Sequence, residues 1–544
     1  MSVSTLERPV QTEQVLLGDE ALAQAALDAG ITAAYGYPGT PSTEIMEYLL
    51  APARERRVKG GWCANEKSAY EAALGVSMAG RRSLVSMKHV GLNVAADPFV
   101  NSAIVKLSGG LVLAVADDPG MHSSQNEQDS RVLIDFAHTI GLEPADQQEA
   151  YAMTREAFGL SERFHLPVVV RLVTRLAHSR AAVERSEPED ENPVAKDIRA
   201  SSWVLLPANA RRLWRELLHQ QPELLEWSET SEWNQLHLSD RDRGLAVITT
   251  GIAKNHYLEC LDELSYQPSH LHIGTYPMPV GMIRRLAAHS PRIMVLEDGY
   301  PFVERRLRGL MPSHLVVEGR GSGKFPMDGE LTPDLVRQAL DLAPRPRLEL
   351  PGVTLPIRPP QLCTGCPHRD TYAALKLALQ GHDAAVVAGD IGCYTLGALP
   401  PFTAMESCVC MGASIGMARG AVAAGLGPAV ACIGDSTFLH SGIAPLIDAV
   451  AENADLTVLL FDNEAVGMTG GQAPALPGSR IAQVVLGLGV DPAHVRVMQA
   501  HPRHVPDMAE VLRQEMAYRG LSVVISARGC MPAERKRAGR EITE

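Results

Sequence analysis

The sequence predicts an α/β protein of three doubly wound domains with mostly parallel sheets, and three observations carry that expectation. Short apolar runs rich in Val, Ile and Ala recur at 84–87, 111–116, 168–170, 245–249, 293–296, 386–388, 429–433, 458–461 and 523–525, each ending near Gly, Pro or Asp. Runs without polar alternation read as strands buried on both faces, which is how parallel sheets are built. Ala-rich stretches of helical character, such as 66–78 and 413–424, lie between them, and strand alternating with helix implies parallel βαβ units. Two breaks interrupt the alternation. Residues 186–240 open charged and Pro-containing and hold four of the five Trp residues without a clear strand, and Pro punctuates 346–360. Domains are therefore expected at 1–185, 241–345 and 361–535, with linkers at 186–240 and 346–360 and a tail at 536–544.

Composition narrows the function. A chain of 544 residues, 46% hydrophobic, buries several cores. Its formal net charge of −13 disfavours nucleic acid, since phosphate neutralisation needs clustered Lys and Arg. The first thirty residues carry Glu7, Glu13, Asp19 and Glu20 and lack the charged-then-apolar order of a signal peptide. No run of about 18 uninterrupted apolar residues suggests a membrane span, so a soluble cytoplasmic protein is expected.

The most specific chemistry lies near the carboxyl end. The run 429–433 leads into Gly434-Asp435-Ser436, and about 26 residues of helix later 458–461 leads into Asp462-Asn463-Glu464-Ala465. Two neighbouring parallel strands ending in these residues put oxygen ligands side by side at the carboxyl edge of a sheet, where ligands bind. Mg²⁺ takes hard oxygen donors in an octahedron. Asp435, Asn463 and the Ala465 carbonyl form such a set, and Gly434 lets the backbone approach a diphosphate. An ordinary strand-turn with an N-capping Asp is the plainer alternative.

The pattern resembles the thiamine-diphosphate signature, Gly-Asp-Gly followed 24 to 28 residues later by Asn, with Ser436 in place of the second Gly. Met468-Thr469-Gly470-Gly471-Gln472 resembles the loop that follows this Asn in the 2-oxo-acid:ferredoxin oxidoreductases. That resemblance implies Gly434, Asp435, Ser436, Asn463, Ala465, Met468, Thr469 and Gly470 as cofactor-binding residues. Met87-Lys88-His89-Val90-Gly91 and 117–131, with Asp117-Asp118-Pro119-Gly120-Met121-His122, are similar to the indolepyruvate branch, the large subunit of indolepyruvate:ferredoxin oxidoreductase.

The resemblance assigns four candidate catalytic residues. Glu66, in Asn65-Glu66-Lys67 at the start of an Ala-rich helix, resembles the carboxylate that activates thiamine diphosphate through its aminopyrimidine ring; a helix-start Glu answering the dipole is the alternative. Thr40, in Tyr37-Pro38-Gly39-Thr40-Pro41-Ser42-Thr43, borders the substrate by the same likeness, and Ser42 or Thr43 can cap the next helix; turn and cap duties alone would also explain the motif. His89 and His122, at strand ends, are candidates for proton transfer, and either also reads as structural.

Cys363, Cys366, Cys393 and Cys530 resemble the four thiolates that hold the [4Fe-4S] cluster nearest the cofactor in the pyruvate:ferredoxin relatives. A zinc site using His368, or no metal at all, stays open. Cys408 and Cys410 read as core or turn residues. The family's large subunit is expected to continue into a ferredoxin-like tail with two Cys-x-x-Cys-x-x-Cys-x-x-x-Cys-Pro runs, absent from this sequence, so either a partner takes the electrons or the chemistry is not a ferredoxin reduction.

Over nearly the whole chain, then, the resemblance implies pyrimidine-binding, transketolase-C-like and diphosphate-binding domains. It implies oxidative decarboxylation of an aryl 2-oxo acid to the acyl-coenzyme A. It further implies a smaller β-type subunit and a homodimer of the large subunit in an α2β2 complex, because the cofactor spans two domain types. A non-oxidative decarboxylase or carboligase needs the same cofactor residues, and a silent scaffold that binds the cofactor is the remaining reading.

Overall fold

The computed structural model describes residues 13–51, 58–195, 199–240, 244–310, 315–346, 352, 354, 359–476 and 478–541. The chain divides into two compact units, Met1–Glu349 and Leu350–Glu544. The expected first and middle domains thus share one unit.

In the first unit the strands are β1 (Glu13–Leu17), β2 (Ala33–Gly36), β3 (Lys59–Trp62), β4 (Ser83–Lys88), β5 (Leu111–Asp117), β6 (Ile140–Leu142), β7 (Val168–Val173), β8 (Arg180–Glu184), β9 (Gln235–His237), β10 (Ala246–Thr250), β11 (Ser269–Ile273), β12 (Thr275–Tyr276), β13 (Arg292–Leu296) and β14 (Val316–Glu318). A seven-stranded sheet runs β12-β6-β7-β5-β4-β2-β3 and a five-stranded sheet β14-β13-β10-β11-β9, while β1 pairs with β8 alone. The pairs β2–β4, β4–β5 and β5–β7 are parallel, and β4, β5 and β7 are buried throughout. All nine predicted runs fall on strands, because only a strand covered on both faces is apolar at every position. Antiparallel β12 comes from the expected middle domain yet closes the edge of the first sheet against β6, which joins the two regions into one unit.

Four helices frame the candidate residues: α1 (Gly18–Asp28), α2 (Thr43–Leu49), α3 (Glu66–Met78) and α4 (His89–Val94). Residues 186–240, expected as a linker, carry the 24-residue helix Pro207–Thr230. Its Leu217, Leu224 and Trp227 enter the same core as α1 and β7, and its spacing of buried Leu213, Leu217 and Leu224 is that of a helix face. Upstream, Glu189 pairs with Arg82 and Arg155 and Glu191 with Arg81, so the charged stretch is pinned to the unit by ion pairs.

The second unit holds β15 (Val386–Gly389), β16 (Ser407–Cys408), β17 (Ala429–Gly434), β18 (Leu456–Asp462), β19 (Val495–Gln499) and β20 (Ser522–Ala527) in the order β16-β15-β17-β18-β20-β19, every pair parallel. Strands β17, β18 and β20 run through its centre with Val, Leu and Ile packed on both faces. The order reverses direction around β15 and β17, which opens a crevice at the carboxyl ends of the strands. Among the described residues no helix is long and apolar enough to cross a membrane.

Candidate active site

Strands β17 and β18 pair in register, Gly434 opposite Phe461, so Asp435 and Asn463 leave the sheet side by side. Both side chains are buried, as is Ala465. Asp435 Oδ1 accepts the Ser436 amide at 2.7 Å, while its Oδ2 has no hydrogen-bond partner among the described residues. Asp462 is buried beside it and its Oδ1 is likewise unpartnered. Burial, reinforced by the Asp462 charge, pushes the Asp435 carboxyl up to about 7 against the pull of the Ser436, Glu464 and Asn463 amides. Two uncompensated carboxylates in a buried edge are costly unless a proton or cation joins them. Gly434 is needed for space: a Cβ there would come within 2.6 Å of the Tyr394 ring, which stacks on Phe461 at 5.4 Å. Directly after Asn463 the chain turns left-handed at Glu464 (φ 54°), a strained geometry of the kind that gathers at functional sites.

The loop after Asn463 closes on itself. Val466 bridges Gln472, Thr469 Oγ1 donates to Gln472 Oε1 at 2.7 Å and Gln472 Nε2 donates back to the Thr469 carbonyl at 2.8 Å. Gly470 and Gly471 (φ 122° and 83°) make the turn that L side chains resist. Met468 stands exposed at the tip of this loop.

The four predicted thiols converge beside it. A Cβ on Gly467 would lie 3.0 Å from Cys393 Sγ and 4.0 Å from Cys530 Sγ, and the Cys530 amide donates to the Asn463 carbonyl at 2.9 Å. Burial first, and then the neighbouring Cys366, Cys530 and Cys363, push the Cys393 thiol up to about 12. Burial also raises Cys366, which the His368 and Arg369 amides of the helix Pro367–Ala378 pull back. Among the described residues no three of these sulfurs lie within 4.8 Å of one another, whereas sulfurs on one tetrahedral zinc stand about 3.8 Å apart. His368 packs edge-on against Phe461 and Tyr394, with neither ring nitrogen hydrogen-bonded. Cys408 and Cys410 are exposed at β16 and the bend after it, so the core half of their expectation is corrected.

In the first unit Asn65 caps α3 by accepting the Ser68 amide at 2.8 Å. Glu66 therefore begins the helix, and it is buried. Its carboxylate lies against Gly91 of α4, where a Cβ would come within 2.6 Å of Oε1. Lys88 ends β4 nearby; burial lowers it to about 8 despite the opposing pull of Asp118 and Glu66, and its Nζ donates to the Ser123 carbonyl at 3.1 Å. Lys88 also fills the space beside Gly39, next to Thr40. Ser123 Oγ donates to the Thr40 carbonyl at 3.0 Å, and Asp118 holds Ser123 and Ser124 by 2.8 and 2.7 Å bonds. The expected Ser42 cap is absent: Ser42 Oγ donates to the Gly39 carbonyl, and Thr43 Oγ1 accepts the Gly39 amide. Buried His89 faces the Asn126 carbonyl at 3.2 Å through Nε2, leaving Nδ1 without a partner. The structure thus gathers Thr40, Glu66, Lys88 and His89 around the ends of β2 and β4. His122, directly before Ser123, is half exposed, with Nε2 3.9 Å from Glu330.

Two family models match. Residues 24–205 match Pyruvate flavodoxin/ferredoxin oxidoreductase, thiamine diP-bdg, and residues 390–526 match Thiamine pyrophosphate enzyme, C-terminal TPP binding domain. The chain is 37% identical to indolepyruvate oxidoreductase subunit IorA of Archaeoglobus fulgidus, over 98% of this chain and 90% of that one. It is 37% identical to the same subunit of Methanothermobacter thermautotrophicus, over 95% and 86%. The chain belongs to the IorA family. A 2-oxoglutarate:ferredoxin oxidoreductase structure from Magnetococcus marinus shares the fold, with TM-score 0.51 and 16% identity, over 61% of this chain and 66% of that one.

As an IorA-family chain it carries thiamine-diphosphate-binding folds in both units. The matched segments contain Thr40, Glu66, His89 and His122 in one and Asp435, Asn463 and Cys393 in the other, while Cys363, Cys366 and Cys530 lie outside them. Sequence reasoning passed over Asp462, although it directly precedes Asn463 in the motif. It noted Lys88 only within the motif 87–91. Both owe their importance to burial, which a strand-end position does not reveal. Asp390, at the end of β15, was also missed: it is fully buried, accepts hydrogen bonds from Tyr394 and Ser414, and is pushed up to about 6 by burial.

Proposed function

We propose that this chain is the large subunit of a thiamine-diphosphate-dependent enzyme that oxidatively decarboxylates an aryl 2-oxo acid, of the indolepyruvate or phenylpyruvate type, to the acyl-coenzyme A. One observation carries the reading: buried Asp435 and Asp462, each with one carboxylate oxygen unpartnered among the described residues, beside Asn463 at the carboxyl edge of β17 and β18. Such a donor set suits Mg²⁺, and a glycine at 434 suits close approach of the backbone to a diphosphate. Asp435, Asn463 and the Ala465 carbonyl are the proposed metal ligands, with Gly434, Ser436, Met468, Thr469 and Gly470 toward the diphosphate.

Bound there, thiamine diphosphate supplies the nucleophilic carbon that such decarboxylations require. The chain's own residues supply the rest. Glu66, buried and fixed by the α3 cap, holds a proton for the cofactor's aminopyrimidine ring. Thr40 orients the substrate carboxylate, and the Lys88 ammonium beside it adds positive potential for that anion. His89 has a free Nδ1 with which to move a proton. His122, turned toward Glu330, is left out of the proton transfer.

Cys363, Cys366, Cys393 and Cys530 are the proposed holders of one [4Fe-4S] cluster, and their convergence favours the oxidative reading over the non-oxidative one. Electrons then leave to a smaller β-type subunit or a ferredoxin, within an α2β2 complex.

The test is an anaerobic assay of the chain co-expressed with the smaller subunit, offering indolepyruvate, phenylpyruvate and pyruvate with and without coenzyme A and a dye acceptor. Coenzyme A-dependent dye reduction, faster with the aryl acids, is the expected result. Aldehyde release without dye reduction would instead establish the non-oxidative chemistry.

A further inference from the structure

Asp19 is the second residue of α1 and is fully buried, yet among the described residues neither of its carboxylate oxygens has a hydrogen-bond partner. Capping does not explain it, because Glu20 takes that duty by accepting the Leu17 amide at 2.9 Å. Three elements meet there. Gly18 has no side chain where the Leu176 carbonyl approaches, and its amide donates to the Ser179 carbonyl at 3.2 Å. That close approach brings in His178, the residue after the short helix Thr174–Ala177. Helix α2 adds Glu44, whose Oε2 stands 3.5 Å from His178 Nε2, longer than a well-formed hydrogen bond. One donor atom from each of Asp19, Glu44 and His178 lies within 4.8 Å of the other two.

We propose that Asp19, Glu44 and His178 bind one divalent transition cation, with zinc the member of that class best suited to their donors. One imidazole nitrogen and two carboxylate oxygens make a three-ligand set of the kind zinc accepts, leaving a fourth position for water. The nitrogen donor disfavours Mg²⁺ and Ca²⁺, which take oxygen ligands. Glu44 and His178 are each about one-third exposed, 37% and 35%, so the open position faces solvent while Asp19 forms the buried floor. Donors on a tetrahedral zinc stand roughly 3.4 Å apart, so the set has only to contract by about an ångström. A cation also answers the electrostatics: Asp19 is held far above the usual carboxylate range by burial and by Glu44, and binding would displace that proton. Because α2 begins just after Thr40, such an ion would tie the Thr40 turn to α1.

The test is anaerobic cobalt(II) titration of the chelator-stripped, full-length chain, comparing the parent with Asp19→Asn and His178→Gln. Cobalt on thiolates absorbs intensely in the near ultraviolet, whereas cobalt on nitrogen and oxygen gives only weak visible bands, so the cysteine cluster is read separately. The expected result is one equivalent of weak visible absorption, displaced by zinc, that both variants lack while their thiolate band is unchanged. Equal cobalt uptake by the parent and both variants overturns the proposal. So does a parent without the visible band, in which case an infrared carboxylic-acid stretch lost in Asp19→Asn would identify a buried proton instead. Should the variants fail to fold, a zinc-soaked crystal of the parent decides by the presence or absence of an anomalous peak among the three side chains.

Discussion

Gly91→Ala isolates the placement of the Glu66 carboxylate. A Cβ at Gly91 would stand 2.6 Å from Glu66 Oε1, 2.7 Å from Cγ and 2.9 Å from Cδ, where ordinary contacts are about 3.5–4 Å. The obstructing atoms belong to a side chain rather than to backbone, so the side chain gives first. Glu66 therefore swings, and its carboxylate retreats by about an ångström. Misplacement on that scale costs a positioned catalytic group about 10²-fold in rate, whereas the overpacking itself costs about 1 kcal/mol, the low end for an added methyl. Gly75→Ala is the control: it lies in the same α3 with nothing within 4 Å of its Cβ, and it should stabilise the helix by about 1 kcal/mol without touching Glu66. The assay is deuterium exchange of the cofactor's reactive C–H proton, followed by NMR on the holoenzyme, alongside thermal unfolding. Exchange slowed about 10²-fold in Gly91→Ala and unchanged in Gly75→Ala is expected. A folded Gly91→Ala variant exchanging within twofold of the parent would refute the role given to Glu66.

Lys88→Met tests the buried ammonium. Its folded acidity, near 8, lies below the ordinary 10.5, so between about pH 8 and 10.5 the unfolded chain binds the extra proton and the parent's stability rises with pH; below 8 the full penalty of the buried charge is present. At about 1.4 kcal/mol per tenfold the variant should be more stable than the parent at pH 7 by roughly 3 kcal/mol, less whatever the Ser123 bond contributes, and that advantage should fade by pH 10.5 in denaturant titrations. An advantage independent of pH would exclude the charge as its cause. Cys393→Ser should abolish bound iron and sulfide in anaerobically purified protein, from about four irons per chain, and iron retained in full would remove Cys393 from the ligand set. Asp435→Asn should abolish Mg²⁺-dependent binding of thiamine diphosphate, measured by calorimetry, while leaving the fold intact. Leu224→Ala, fully buried under the helix Pro207–Thr230, should cost about 2–5 kcal/mol; a thermal midpoint equal to the parent's would mean that this helix does not belong to the core.

The sequence by itself determined nine strands of the core and the pair of strand ends, at Asp435 and Asn463, proposed to hold the diphosphate. Strands covered on both faces must be apolar at every position, so 111–116 or 458–461 can hardly be read otherwise, and the spacing from Asp435 to Asn463 is that of one βαβ crossover. It also marked Glu66 as a helix start, since an Asn precedes it and an Ala-rich run follows, whereas its proposed role came from the family resemblance. What only the tertiary structure decided are properties that arise between segments distant in the chain. The helix Pro207–Thr230 looked like a polar linker because its apolar face is a narrow stripe, legible only once α1 and β7 are there to receive it. Strand β12 has two residues, too few to carry a pattern, yet it joins two expected domains into one unit. Asp462 and Asp19 read as ordinary acids at a strand end and a helix start, and only their burial with unpartnered oxygens sets them apart. Chain-local chemistry is written in residue order, whereas desolvation is a property of neighbours, and it is desolvation that raises the proton affinity of these carboxyls.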